Sequence, residues 1–282
     1  TPGNYLKYYL GYVKFYTLKK EMAARLGEDF SQKKFHQAVL DAGPAPFDVL
    51  EDYVSGKYLN TFPGSFADLT DEFDYSKFLQ FKVDAVTQEG KVYAVPFDTG
   101  ATVLYYRIDL LEQAGYTEED MQNLTWDEFI EIGKDVTEKT GIQMIVEIAN
   151  DKTSLVRSMM QSCGEWYFDE DGNINIKDNE ALKAAFGVIK SMKDAGILYE
   201  AESTEGRAGA LNNGTVASVV NAPWFMSSLK QAEDQSGLWR AARIPRFADI
   251  PESINASNVG GSSWYVLENS EVKDEAIDFP KQ

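Results

Sequence analysis

The stretch NNGTVASVVNAPWF, residues 212–225, decides how this chain is read. Asn-Gly punctuates a turn, and TVASVV, 215–220, follows as a run of small and β-branched residues that suits a strand covered on both faces. Asn221 and Pro223 then open a helical connection, Asn as a capping residue and Pro at a first helical position. Trp224 is thereby delivered to the end of a buried strand, where the chain has just turned.

Working outward, strands and capped helices alternate, the pattern of α/β layers. GKVYAVPF, 90–97, and TVLYY, 102–106, read as strands. Asp109 is a candidate cap for DLLEQAG, which Gly115 ends. Thr125 and Glu128 have capping-box spacing and open a helix that stops at Gly141. IQMIVEI, 142–148, is a buried strand, and Asp171-Gly172 a hairpin turn. Asp178 or Asn179 caps a helix that Gly196 ends. SSWYVLE, 262–268, is a late strand. Residues 1–55 differ: three helices are predicted there, the first ended by Gly27, the second opened by Ser31, the third entered through Pro44 and Pro46.

The charge changes at the same place. Seven basic and seven acidic residues cancel over 1–55, whereas 56–282 hold 20 basic and 38 acidic residues, the whole net charge of −18. So acidic a chain argues against nucleic acid and against anionic lipid as partners. At 44% hydrophobic and 13% aromatic, it has the material for a sizeable core. Cys163 is the one cysteine, so there is no internal disulfide. His36 is the one histidine, which removes His-rich zinc sites. No phosphate loop, dinucleotide fingerprint, nucleophile elbow or HExxH is present, and Asp169-Glu170-Asp171-Gly172 lacks calcium-loop spacing. No catalytic residue, metal or cofactor is expected. No apolar run reaches membrane-spanning length, and no signal peptide is recognised.

Six segments then carry a resemblance: FPGSFADLTDEFDYSKF, GKVYAVPFDTGATVLYYRIDLLEQAGY, TWDEFIEIGKDV, GEWYFDEDGNINI, LNNGTVASVVNAPWF and SNVGGSSWYVLENSEVKDEAIDF. In that order, over residues 60 to 279, they resemble the extracellular solute-binding proteins of carbohydrate ABC transporters. Residues 1–54 resemble instead the C-terminal helices of a bacterial zinc-metallopeptidase-like helical family, through the Pro-Gly start, Tyr9, Gly11, Phe35-His36 and Gly-Pro-Ala-Pro. The zinc motif of that family is absent here, so its activity is not carried over.

The first resemblance implies an α/β, periplasmic-binding-protein-like two-lobe fold. The expected division is a helical segment 1–55, a partial first lobe 56–100 with 259–282, and a second lobe 101–258. The first lobe is expected to be incomplete and to expose apolar surface. The implied function is capture of a sugar or oligosaccharide in a cleft between lobes, by a monomer at the extracellular or periplasmic face, with ABC permease subunits as partners. A metallopeptidase-like fragment without its metal motif and a non-functional hybrid stand as the other readings.

The resemblance makes Trp224 the platform on which a sugar stacks, with core packing as the other reading. NAPW stands where the family often has NGPW, so Ala222 is a departure. Asp98 is the main polar candidate, at the end of strand 90–97. Asn221, Asn258, Gly261 and Ser262 are further ligand-binding candidates. Trp166 is either a second platform or a buried strand residue, and core packing is expected for Trp264. Gly100 and Gly260 lie where the chain crosses between lobes, as hinges or as simple turns.

Overall fold

The computed structural model describes residues 64–169 and 173–281, with 19–20, 22–24, 26–27 and 30–35. Tyr9, His36, the third helix expected before residue 55 and the Asp171-Gly172 turn lie outside the described residues. The chain divides into two compact units. The described residues of Thr1–Asp98 and Ser262–Gln282 make the first, and Thr99–Gly261 makes the second.

In the first unit, Gly27 ends a helical segment with φ +53°, and the Ser31 hydroxyl accepts the Lys34 N–H at 3.4 Å to open residues 32–35. Two small antiparallel ribbons follow. Thr87–Gln88 pairs with Lys91–Val92 across Glu89-Gly90, both at positive φ, and Ala94–Pro96 pairs with Ser263–Tyr265. The single strand expected over 90–97 is therefore broken at Tyr93, whose N–H donates to the Val86 carbonyl instead. Ala67, Leu69, Val95, Val266 and Ile277 form a small core.

Trp264 corrects an expectation, because it is not a core residue. It is 39% exposed, and its ring lies against Phe97 and Phe279 at centroid distances of 5.5 and 5.1 Å. Those two are 65% and 57% exposed, so the three rings form a surface cluster. A strand of three residues in a two-stranded ribbon has too little sheet around it to cover a Trp.

The second unit is built on one five-stranded sheet. Its strands are β1 (Val103–Arg107), β2 (Gln143–Ile148), β3 (Leu198–Ala201), β4 (Val216–Asn221) and β5 (Trp239–Arg243), in spatial order β3-β2-β4-β1-β5. β2 is parallel to β3 and to β4, while β1 runs antiparallel to β4 and β5. The helices are α1 (Ile108–Ala114), α2 (Trp126–Thr140), α3 (Thr153–Ser162), α4 (Glu180–Asp194), α5 (Thr204–Asn212) and the single turn α6 (Met226–Leu229).

All six residues of β4 are buried, as its run of small and β-branched residues suits a strand covered on both faces. Ser218, fully buried in that run, donates its hydroxyl to the Met144 carbonyl at 2.6 Å, so no polar group is left unpaired there. One face of the sheet packs Tyr105, Val146, Val219, Leu211, Phe225 and Leu229 into a continuous core. On α2, a Cβ at Gly133 would lie 2.8 Å from Ile197 Cδ1 and 3.0 Å from Met144. The missing side chain lets that helix approach close.

Most helix ends follow their sequence signals. Thr125 and Glu128 form the reciprocal capping box, and Asn179 rather than Asp178 caps α4 by accepting the Leu182 N–H. Asp109 does not cap. It sits inside the first turn of α1 and forms a two-pronged ion pair with Arg107 at 2.8 and 2.7 Å. The strand residue Arg107 supplies the nearest cation, so the carboxylate turns toward it. Among the described residues flanking 170–172, Phe168 bridges Ile174 and the Asp169 N–H donates to Asn173 O at 2.9 Å.

Thr125→Ala removes one of the two capping-box acceptors for the free amides of α2 and is expected to cost about 1 kcal/mol in urea unfolding. Because both residues serve the same helix end, Thr125→Ala/Glu128→Ala should cost clearly less than the sum of the singles.

Candidate functional site

The aromatic turn after β4 is set by what must be buried. Asn221 ends the strand, 8% exposed, with its Oδ1 accepting the Ala222 N–H at 2.9 Å. Asn221 is therefore not the helix cap expected from its type. The cap position is Ala222, in extended backbone at φ −113°, and it makes no side-chain bond. An ordinary L-residue fits that conformation, and the Ala222 methyl is fully buried, so alanine serves where the family often has glycine.

Pro223 opens a 3₁₀ turn over Pro223–Phe225, closed by Phe225 N–H to Ala222 O at 3.0 Å. Successive residues of such a turn point about 120° apart. Phe225 is buried to 5% exposure in the sheet core. Its neighbour Trp224 is consequently turned outward, 47% exposed, which rules out core packing for that ring.

Two glycines seat the indole. A Cβ at Gly100 would lie 2.8 Å from Trp224 Cη2, and one at Gly260 would lie 3.1 Å from the same atom. The six-membered edge of the ring thus rests on bare backbone from two segments remote in sequence. Those segments run together as a strap. Val259 N–H donates to Gly100 O at 2.7 Å, Ala101 bridges Asn258, and Thr102 N–H donates to Ser257 O at 2.9 Å. A Cβ at Gly100 would fall 1.6 Å from the Val259 carbonyl oxygen, so close approach alone demands glycine there, at an ordinary φ. Gly260 and Gly261 have φ +74° and +109°, a conformation glycine adopts freely, and Asn258 Nδ2 donates to Gly260 O at 2.7 Å to close this turn.

Within the second unit, then, Trp224, Gly100, Gly260 and Asn258 come together, with Asn221 at the root of the turn. Trp166 is half-buried and engaged elsewhere, under the Arg157 guanidinium at 5.5 Å and against Tyr167 at 5.1 Å. Asp98 and Ser262 belong to the first unit, where they hold each other. Asp98 Oδ1 accepts the Ser262 N–H, and Phe97 N–H donates to Ser262 O at 3.0 Å. A cavity of ≈ 680 Å³ lies along β1 and β5, lined by Tyr105, Met226, Leu229, Gln235 and Trp239 but not by Trp224. Among the described residues, no three His, Cys, Asp or Glu are grouped to hold a metal.

The electrostatics of the sheet were missed from sequence. Glu147, in β2, is 2% exposed, and burial pushes its carboxyl up to about 7, against the pull of Arg207 and Lys152. Arg207, on α5, lies with its guanidinium 5.3 Å over the Phe225 ring, and its Nε is buried without a hydrogen-bond partner. Glu200, beside Glu147 in the sheet, is held below the usual carboxylate range by hydrogen bonds from Lys152 and Lys193. The available signal was the glutamate breaking the apolar run IQMIVEI.

A family model described as "Bacterial extracellular solute-binding protein" matches residues 31–281. The chain belongs to this family. A lactose-binding protein of Rhizobium radiobacter is 53% identical over 231 residues, covering 82% of this chain and 54% of the relative. An arabinooligosaccharide-binding protein of Bacillus subtilis is 26% identical over 240 residues, with the same two shares. Among solved structures, the GacH receptor of Streptomyces glaucescens is 25% identical at TM-score 0.66, covering 77% of this chain and 56% of that one. Maltose-bound MalE3 of T. maritima is 28% identical at TM-score 0.62, covering 78% and 56%. This solute-binding chain spans about half the length of the relatives it matches. A second model, a bacterial family of unknown function, matches residues 1–54 and overlaps the first over 31–54. It attaches no activity to that segment.

Gly100→Ala is expected to destabilise the second unit by roughly 1–3 kcal/mol, the usual cost of overpacking, because the carbonyl it meets is backbone and cannot swing aside. It should also shift tryptophan emission by displacing the indole. Gly133→Ala, which meets Ile197 and Met144 and not Trp224, should leave the emission of Trp224 unchanged; fluorescence with urea titration checks both.

Proposed function

We propose that this chain is the carbohydrate-binding component of an ABC import system, and that a sugar stacks on Trp224. The observation that carries the reading is a half-exposed indole at the carboxyl edge of a parallel pair of strands, fixed on two glycine backbones. Ligands of α/β sheets gather at that edge. A rigid aromatic face covers the C–H side of a pyranose, while amides and carboxylates take its hydroxyls. Asn258 and Gly261 are the polar groups proposed beside it, and Asn221 supports the turn from beneath; Asp98 and Ser262, of the first unit, are proposed as further sugar-binding groups. Trp166 is proposed as a second aromatic contact.

We assign Thr99–Gly261 as the binding lobe proper, with Gly100 and Gly260 as the points where the chain pivots. The relatives suggest the ligand. Lactose is the first sugar to test, because the relative with 53% identity is named for it. Function in import implies permease subunits as partners and the extracellular or periplasmic face as the place of work, as a monomer. Micromolar capture requires about −8 kcal/mol, within reach of one stacked ring and several charge-assisted hydrogen bonds.

The test is a thermal melt with lactose, maltose and arabinooligosaccharides, run on wild type and Trp224→Ala. A sugar at a hundredfold excess over its Kd stabilises the folded state by about 2.7 kcal/mol. One sugar is expected to raise Tm by several degrees in wild type and by little in Trp224→Ala. No shift with any sugar, or an undiminished shift in the variant, would overturn the reading.

A further inference from the structure

The segment between β5 and the glycine strap is fastened to the C-terminal end of α3 at successive points. The Ser253 and Ser162 hydroxyls meet at 3.3 Å, the Ile254 N–H donates to Ser162 O at 2.8 Å, and the Ser257 hydroxyl donates to Gln161 Oε1 at 3.2 Å. Ser162 and Ser253 are buried, and Gln161 and Ser257 are half-buried. The last of these bonds lies nearest the indole along the chain. Beyond Ser257 come Asn258 and Val259, paired with Ala101 and Gly100, and then Gly260, whose backbone Trp224 rests on. Thr102 fastens Ser257 through its backbone N–H alone, because its Oγ1 is buried without a hydrogen-bond partner.

Gly260 and Gly261 give the end of the strap little stiffness of its own, since glycine moves freely among backbone conformations. Their place is inherited from the residues before them. Asn258 Nδ2, bonded to Gly260 O, closes the turn on itself. The backbone partners Gly100 and Ala101 lie outside the helices and the five-stranded sheet. α3, by contrast, is held in the core by Leu155, Val156, Met159 and Met160, all buried. We propose that Gln161 is a positioning residue for the Trp224 platform: by accepting the Ser257 hydroxyl, it makes the end of α3 hold the strap where it props the indole. The inference rests on the sugar reading only for its consequence, a change in affinity.

The chemistry needed at position 161 is an acceptor oxygen at the end of a two-carbon stem. Gln161→Glu keeps it, and Gln161→Leu removes it at similar size. Ser257→Ala removes the donor of the same bond. One such bond shifts an equilibrium by about twofold to tenfold. Because the two side chains share it, removing both should do no more than removing either.

Amide hydrogen exchange followed by NMR reads the strap without any sugar. The Val259 N–H, bonded to Gly100 O at 2.7 Å, should exchange several-fold faster in Gln161→Leu and in Ser257→Ala than in wild type, and no faster again when the two changes are combined. Gln161→Glu should keep it close to the wild-type rate. The Ile145 N–H on β2, bonded to Ile197 O at 3.1 Å, should be unaffected throughout, which separates a displaced strap from a general loss of stability. In the second arm, lactose titrated by calorimetry should bind several-fold more weakly to Gln161→Leu and recover in Gln161→Glu. An unchanged Val259 rate in Gln161→Leu, an equal acceleration at Ile145, or lactose binding undiminished in that variant would overturn the proposal. If Val259 responds as expected and wild type binds no sugar, the sugar reading fails and this one stands.

Discussion

The second unit depends on a single constraint at the end of β4. Phe225 must enter the core and Trp224, one residue earlier in a 3₁₀ turn, must therefore leave it. Nothing about the indole itself fixes its exposure. Its place is decided by its neighbour, by the buried methyl of Ala222, and by Pro223 holding the backbone ready for the turn. A sheet strand buried on both faces makes that launching point rigid, and such rigidity would keep the ordering cost of the proposed stacking low.

The glycine strap is the second support of the ring. Trp224 is propped from beneath by Gly100 and Gly260, which contribute backbone where any side chain would collide. Gly100 is thus explained by close packing against the Val259 carbonyl, a physical reason that neither a hinge nor a turn supplies. Gly260 and Gly261 do need left-handed backbone, and Asn258 spends its amide holding that turn. The polar candidates are accordingly structural first. Asn221 and Asn258 each satisfy a local backbone group, and Asp98 holds the Ser262 amide with one oxygen, leaving fewer side-chain groups for a ligand than their residue types suggest.

Much of this was legible in the residues. The small and β-branched run of β4, the Thr125–Glu128 box, a cap at Asp178 or Asn179 and the α/β alternation all have local causes, and the structure follows them, with Asn179 as the cap. The outward turn of Trp224 was legible only as a choice between two readings, because the deciding contact, Phe225 with the core, lies across the sheet. Asp109 was misjudged because its partner Arg107 comes from the strand before it, and Trp264 because a short ribbon lacks the layer that a longer strand would have packed against. Glu147 was passed over as one polar letter in an apolar run. Its meaning lies in its burial, which the elements packed over β2 impose and its sequence neighbours do not reveal. Contacts across elements are what a one-dimensional pattern does not carry.

The central claim is that the exposed face of Trp224 is where a sugar lies. The most direct measurement is saturation-transfer NMR from the protein to lactose, which reports which ligand protons touch the surface. The expected result is strong transfer to the C–H protons of one pyranose face, reduced several-fold in Trp224→Ala. Transfer spread evenly over the sugar, or unchanged when the indole is removed, would contradict it.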